Sequence, residues 1–419
     1  MPLISVEKML DLLPYQLEQT LIGSTVRKVL TRRRRALLEP RGLVQPEVQR
    51  IFVDVSVISK HDAGTGIQRV VRALALGLKA RADTLACSLH FVAAGRETPY
   101  HTICWPSGDK LALSVQMEGR PGDIFIGLDY SLDDIRWNSS QLARFRRQGG
   151  KLWFLVHDLL PLEKPGWFSR NTVIRYRAWL GILATLADGF LCNSPQTESQ
   201  LRIALMSVYG LDSGYATKVL PMGYRITSGE PIDETKPSRL TDLLHGSSAG
   251  YFLQVGTLEP RKGHSDVLDA FDILWANGWP DALVLVGQKG WQVDDLYRRI
   301  STHPRIGKQL FWFADVEDPE LDQMYRGCKG AIIASFAEGF GLPLIEALGH
   351  RKPVLARDLM VFRQHEECGV KYFPDIREPA ILAERIKEWA EDIAHGRIAV
   401  NLPEKGWDES VTELIQVVS

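Results

Sequence analysis

SFAEGFGLPLIEAL, residues 335–348, places Glu338 immediately before a Gly-Phe-Gly-Leu-Pro turn and Glu346 just inside the helix that the turn opens. The run leading into it, GAIIAS, reads as a short buried strand. Gly339 and Gly341 give the turn backbone freedom, and Pro343 suits a first helical turn, where its missing N–H is not needed. Ile345 and Leu348 then face a core, and the amides from Phe340 to Leu344 form a nest for an anion. The helix dipole alone favours a glutamate in a first turn. That accounts for Glu346 and leaves Glu338, which faces a cleft from before the turn, unexplained. Strand, glycine turn and helix make the repeating unit of an open parallel sheet, whose ligands bind at the carboxyl ends of strands.

The same unit recurs in both directions. FLQVGTLEPRKGHSDVLDAF, residues 252–271, breaks a strand at Gly256 and presents Arg261 and Lys262 in a polar loop. A helix follows with Val267, Leu268, Phe271 and Leu274 on its core face and Ser265 as the expected N-cap. Adjacent guanidinium and ammonium groups beside a helix N-terminus suit a diphosphate; the plain alternative is a solvated basic pair. YFLQVG, ALVLVG, QLFWFA, GAIIAS and KPVLAR form one strand series, and RIFVDVSVIS, GDIFIGLDYS, KLWFLVHDLLP and GFLCNSPQ form an earlier one. Between them the composition turns to Ser, Thr, Gly, Pro and charge, a linker signal. The expected organisation is a basic helical extension at 1–48, a Rossmann-like domain at 49–228, a linker at 229–248 and a second Rossmann-like domain at 249–404. A C-terminal helix at 405–419 is expected to return to the first domain.

Two loops of the first series sit where ligands bind. In SKHDAGTGIQRVVRALALGL, Gly64 and Gly66 flank Thr65 ahead of a helix with Ile67, Val70, Val71 and Leu74 on one face. Such glycines admit a ligand to the backbone or simply make a tight turn. In FLVHDLLP, His157 and Asp158 stand at a strand end, as a cleft-facing pair or as local backbone partners.

The 419 residues are 45% hydrophobic and 24% charged, with a formal net charge of -1, which excludes a global field that gathers nucleic acid. Five scattered cysteines without metal-ligand spacing fit a reducing cytoplasm. No run is apolar enough to span a bilayer, and the N-terminus lacks the order of a secretory signal. VRKVLTRRRRALLEPR, residues 26–41, clusters Arg27, Lys28, Arg32, Arg33, Arg34 and Arg35 around Val26, Val29 and Leu30. Such a helix suits an anionic membrane surface, a subunit contact or plain solvation.

With those residues in hand, the chain resembles glycosyltransferase family 4, retaining enzymes of the GT-B fold. EGFGLPLIE, with glutamates eight apart, VGTLEPRKG, LPMGYR and WDESVTELIQVV carry the likeness, which covers most of 50–419 and is strongest over 251–358. The resemblance implies two α/β Rossmann-like domains facing across a cleft. It gives Arg261 and Lys262 to the donor diphosphate, Glu338 to donor-sugar hydroxyls, and the amides of Gly339, Phe340, Gly341 and Leu342 to sugar and phosphate. Glu346 would bind the ribose, Gly64, Thr65 and Gly66 the phosphates, and His157 the reacting sugar. Asp158 and Asp129 are the acceptor-side candidates. Many relatives carry arginine where this chain has Thr257, so that position is not carried over. No D-x-D pair offers a metal site, and the resemblance implies metal-independent catalysis without a cofactor. VDVSVISKHDAGTGIQRVVRAL is similar to bacterial mannosyltransferases of O-antigen and capsule assembly, which implies GDP-mannose as donor and a glycan or polyprenyl-diphosphate-linked glycan as acceptor. Rhamnosyl or glucosyl transfer, a GT-B epimerase or phosphorylase, and a non-catalytic glycan-binding scaffold remain the alternatives. The expected location is the cytoplasm, peripheral on the plasma membrane.

Overall fold

The structure is a computed structural model that describes residues 21–39, 48–84, 87–107, 114–225 and 250–418. The expected linker at 229–248 lies outside the described residues, as do 1–20 and 40–47 of the expected extension. The chain forms two compact units, one of Met1–Leu220 with Ser410–Ser419 and one of Pro221–Glu409.

The first unit is built on a seven-stranded sheet in the order β3-β2-β1-β4-β5-β6-β7. The strands are β1 Gln49–Asp54, β2 Cys87–Ala93, β3 His101–Ile103, β4 Ile124–Gly127, β5 Lys151–Val156, β6 Gly189–Cys192 and β7 Ala216–Val219. Every pairing is parallel except that of β2 with β3. β4 and β6 are buried along their whole length, the physical origin of unbroken apolar runs rather than alternating ones. The order reverses direction between β1 and β4.

The second unit has six strands, all parallel, in the order β10-β9-β8-β11-β12-β13. They are β8 Tyr251–Val255, β9 Ala282–Val286, β10 Leu310–Phe313, β11 Gly330–Ile333, β12 Val354–Arg357 and β13 Val370–Phe373. Counted from β8 this is the doubly wound order 3-2-1-4-5-6, whose crevice opens at the carboxyl ends of the first and fourth strands, β8 and β11. The helix His264–Ala276 buries Val267, Leu268, Phe271 and Leu274. Its N-cap is Gly263, not Ser265. Gly263 is left-handed at φ +69°, and a Cβ there would lie 2.2 Å from Ala334 O. The tight approach of the β8 and β11 loops therefore fixes where this helix starts.

The basic segment forms the helix Leu21–Leu37, packed on the helices Arg170–Leu186 and Pro195–Tyr209 of the first unit. Arg32 Nε donates to Gly210 O at 2.8 Å. Arg35 donates to Ala184 O at 3.0 Å, to Ala187 O at 2.8 Å and to Gly214 O. Gly210, Ala184 and Ala187 lie at helix C-terminal ends, the negative poles that favour cations. Burial lowers the Arg35 pKa to about 10. Two arginines of the cluster thus dock the helix, while Val26, Val29 and Leu37 stay exposed.

The last helix, Trp407–Val418, sets Val411 against Gly77 and gives the first unit an Arg81–Thr412 hydrogen bond of 2.6 Å and a Lys218–Glu413 ion pair of 2.5 Å. No helix among the described residues is long and apolar enough to cross a membrane.

Candidate active site

At the carboxyl end of β8 the chain turns through Gly256 into a short 3-10 turn, Pro260–Lys262, and at the end of β11 it runs through Ser335 to Glu338. Adjacency of β8 and β11 in the sheet brings the two loops together. Lys262 Nζ lies 2.5 Å from Glu338 Oε1, and Arg261 Nη1 lies 3.1 Å from Glu338 Oε2. Ser335 Oγ donates to Glu338 Oε1 at 2.7 Å, and Phe336 N donates to Arg261 O at 2.8 Å. Arg261 Nε also stands 2.8 Å from Glu259 Oε2, an ion pair without hydrogen-bond alignment. Burial by itself pushes the Glu338 carboxyl up, but the charges of Lys262 and Arg261 and the bonds from Lys262 and Ser335 outweigh it and hold the pKa at about 2. Burial raises Glu259 despite the same two cations. Glu338 is therefore an anion with two cations fixed against it.

After Glu338 the backbone turns at Gly341, left-handed at φ +95°. A Cβ there would meet Phe362 at 2.4 Å, so only glycine fits. The helix Leu342–Gly349 follows with Pro343 in its first turn and Ile345 and Leu348 buried. Leu344 N is used by Gly341 O at 3.0 Å, whereas the N–H groups of Phe340, Gly341 and Leu342 have no acceptor among the described residues. This is an anion nest beside two cations. Glu346 is 3% exposed and accepts from Tyr325 Oη at 3.0 Å. Tyr325 stacks on His350, which in turn bonds Asp322 at 2.7 Å.

In the first unit, Thr65 caps the helix Gly66–Ala80 in a reciprocal capping box with Gln68. The amides of Ala63 and Thr65 reach Gln68 Oε1, and Gly64 N reaches Asp62 Oδ1. The turn satisfies most of its own donors, and Gly66 N and Ile67 N remain without an acceptor among the described residues. His157 is 6% exposed, with Nε2 3.3 Å from Leu128 O. A carbonyl only accepts, so Nε2 carries the proton and Nδ1 presents its lone pair. Burial lowers the His157 pKa to about 4, so the ring is neutral near pH 7. Asp158 Oδ1 accepts from Leu160 N at 3.0 Å. Asp129 is 2% exposed and accepts from Val57 N and Ile58 N at 2.8 Å and from Tyr130 N at 2.9 Å. Its carboxylate is spent on shaping the turn after β1.

Sequence reasoning passed over three further buried polar residues, two in the first unit and one in the second. Asn193 Nδ2 donates to His157 O at 2.7 Å while its Oδ1 is buried without a hydrogen-bond partner among the described residues. Asp54, fully buried at the end of β1, accepts from Ser56, Tyr100 and Ser131. Burial first and the charge of Asp129 second raise its pKa to about 7. Arg357, fully buried at the end of β12, reaches Ala334 O, Asp266 and Asp375. Asp54 closes QRIFVD and Arg357 closes KPVLAR; position at a strand's carboxyl end was the available signal. Among the described residues no group of three or more His, Cys, Asp or Glu is placed to hold a metal ion.

Residues 242–399 match the family model described as glycosyl transferases group 1. The chain is 32% identical over 398 residues to the serotype-specific mannosyltransferase WbdA of Escherichia coli, covering 90% of this chain and 47% of that protein. It spans about half the length of the curated relatives it matches. WaaG, a glycosyltransferase involved in lipopolysaccharide biosynthesis, shares the fold with a TM-score of 0.58 at 14% identity, over 88% of this chain and 99% of that one. HepE of Anabaena in complex with UDP-glucose gives 0.53 at 19% identity, over 88% and 94%. Both likenesses are of fold: α/β units on parallel sheets, as in the GT-B class. The matched segment contains the β8 and β11 loops with Arg261, Lys262 and Glu338, and it is in this segment that the chain matches the group 1 glycosyl transferases.

Proposed function

We propose that this chain is a retaining mannosyltransferase that moves mannose from GDP-mannose to a hydroxyl of a glycan, or of a lipid-linked glycan, in bacterial surface polysaccharide synthesis. The observation that carries it is the buried Lys262–Glu338–Arg261 cluster at the β8/β11 crevice, beside the open amides of Phe340 to Leu342. The mannosyltransferase activity of the WbdA relative supports mannose as the sugar.

Arg261, Lys262 and the turn amides take the diphosphate, and Glu338 takes sugar hydroxyls. The bond from C1 to the diphosphate oxygen breaks as the acceptor oxygen bonds to C1 from the same face. The departing diphosphate keeps the bond's electron pair, and its oxygen accepts the acceptor's proton. The two cations and the turn amides stabilise that growing charge, without a metal. Glu338 acts as a positioning anion. His157 meets the reacting sugar through its unprotonated Nδ1, Glu346 holds the ribose, and the Gly64–Gly66 turn contributes to the phosphates.

The test is incubation of the full chain with GDP-mannose, UDP-glucose and dTDP-rhamnose, each with a synthetic mannoside carrying an apolar tail, with and without EDTA. Transfer of mannose from GDP-mannose, with the donor's anomeric configuration kept and EDTA without effect, is the expected result. Preference for another sugar nucleotide discards mannose. An inverted product or EDTA-sensitive transfer overturns the mechanism.

A further inference from the structure

Arg357 belongs to no motif of the donor site, yet three of its contacts, to Asp266, Ala334 and Phe336, lead there. It closes β12, and its guanidinium is fully buried. Nη2 pairs with Asp266 at 2.8 Å, in the first turn of the helix that follows Arg261 and Lys262. Nε donates at 3.0 Å to Ala334 O, in the segment leading to Ser335 and Glu338. Nη1 pairs with Asp375 at 2.8 Å, beyond β13. The guanidinium plane also lies over Phe336, 3.9 Å from the ring centroid, and Arg377 lies over that ring as well, at 4.3 Å. Phe336 in turn donates its amide to Arg261 O.

A buried cation is costly unless its partners are fixed. Here the partners are one carboxylate on the β8 side, one carbonyl on the β11 side and one carboxylate beyond β13. Only a planar fork with several donors satisfies all three while stacking on Phe336; an ammonium does not. The cost of burial is met only when the two donor loops stand in a single register. That register sets the 2.5 Å and 3.1 Å contacts between Glu338 and the cations.

We infer that Arg357 is the positioning residue of the donor site, locking the Arg261–Lys262 loop and the Ser335–Leu342 loop into the one relative placement that grips a nucleoside diphosphate. The inference rests on the donor-site reading above. It is tested by calorimetric binding of GDP and UDP to the full chain, using whichever binds the wild type more tightly. The variants are Lys262→Ala, Arg357→Lys and the double substitution, with thermal melting to establish that each is folded. Arg357→Lys is expected to weaken binding about tenfold, or about 1.4 kcal/mol, because its loss of the fork lets the loops separate. Adding it to Lys262→Ala is expected to cost less than it does in the wild type, since Lys262 is one of the groups that Arg357 positions. A residue that only stabilises the fold lowers the melting temperature and leaves the affinity of the folded protein unchanged; that result overturns the inference. Equal losses in both backgrounds overturn it too. Should Arg357→Lys fail to fold, Phe336→Leu, which removes the stacking partner and keeps the buried charge paired, is expected to weaken binding in the same direction, and wild-type affinity in that variant overturns the inference. Unchanged binding in Lys262→Ala, or no binding of either nucleotide by the wild type, instead brings down the donor-site reading, and the positioning role with it.

Discussion

Glu338 shows how a single residue can be chemically primed by two loops. Burial opposes its charge, and Lys262 and Arg261 supply more than burial removes. A carboxyl whose folded pKa of about 2 lies below its ordinary 4.5 contributes stability above pH 4.5, and that contribution is lost as the pH falls through 2. Comparing wild type with Glu338→Gln in thermal melts is therefore expected to give a constant difference from pH 8 to pH 5 that shrinks on further acidification. The same substitution releases Lys262 and leaves Arg261 paired with Glu259, so GDP is expected to bind at least as tightly while mannose transfer falls by about a hundredfold. A difference that grows on acidification, or full activity in the variant, contradicts the ion-pair account. Asp54 has the opposite sign. Its raised pKa adds stability at low pH that fades as the pH rises through about 7.

At the scale of elements, the donor loops depend on glycines that no other residue replaces. Gly263 carries φ +69°, and a Cβ on it would press to 2.2 Å on Ala334 O, whereas Gly64 at φ +63° has open space around the same position. Gly64→Ala meets only backbone strain and is expected to cost about 1 kcal/mol. Gly263→Ala meets strain and a collision with rigid backbone, and is expected to cost roughly 3 kcal/mol and to weaken nucleotide binding by separating the β8 and β11 loops. Urea unfolding of the two variants checks the order. Equal losses at both positions would show that the loops separate freely.

At the scale of the molecule, the basic N-terminal helix divides its charges. Arg32 and Arg35 dock it on helix C-termini of the first unit, while Arg33 is exposed near Val29 and Val26 on the same helix. Arg35→Met is expected to destabilise the protein by roughly 3 kcal/mol, since three carbonyls lose a charged donor. Arg33→Glu is expected to leave stability within about 0.5 kcal/mol and to reduce sedimentation with phosphatidylglycerol vesicles. Sedimentation that is absent, or indifferent to Arg33→Glu, removes the membrane surface from the list of partners.

The sheet-forming runs were legible in the sequence, because a strand buried on both faces must be apolar throughout, and GDIFIG, GFLC, ALVLV and GAIIAS announce that. So was the turn chemistry, since Gly341 and Pro343 admit few alternatives, and so were Arg261, Lys262 and Glu338. Weakly buried strands left no such mark: β7 has no fully buried residue and β3 has three residues in all. That Gly263 rather than Ser265 caps its helix emerges only in the folded chain, because the reason is the oxygen of Ala334, 71 positions away. The same holds for Asp129, spent on three amides, and for Arg32 and Arg35, spent on helix ends. The Arg357 clamp is of the same kind. Composition and spacing record what a residue can do, but a hydrogen bond spanning 91 residues from Asp266 to Arg357 exists only once the sheet has set β12 beside β11.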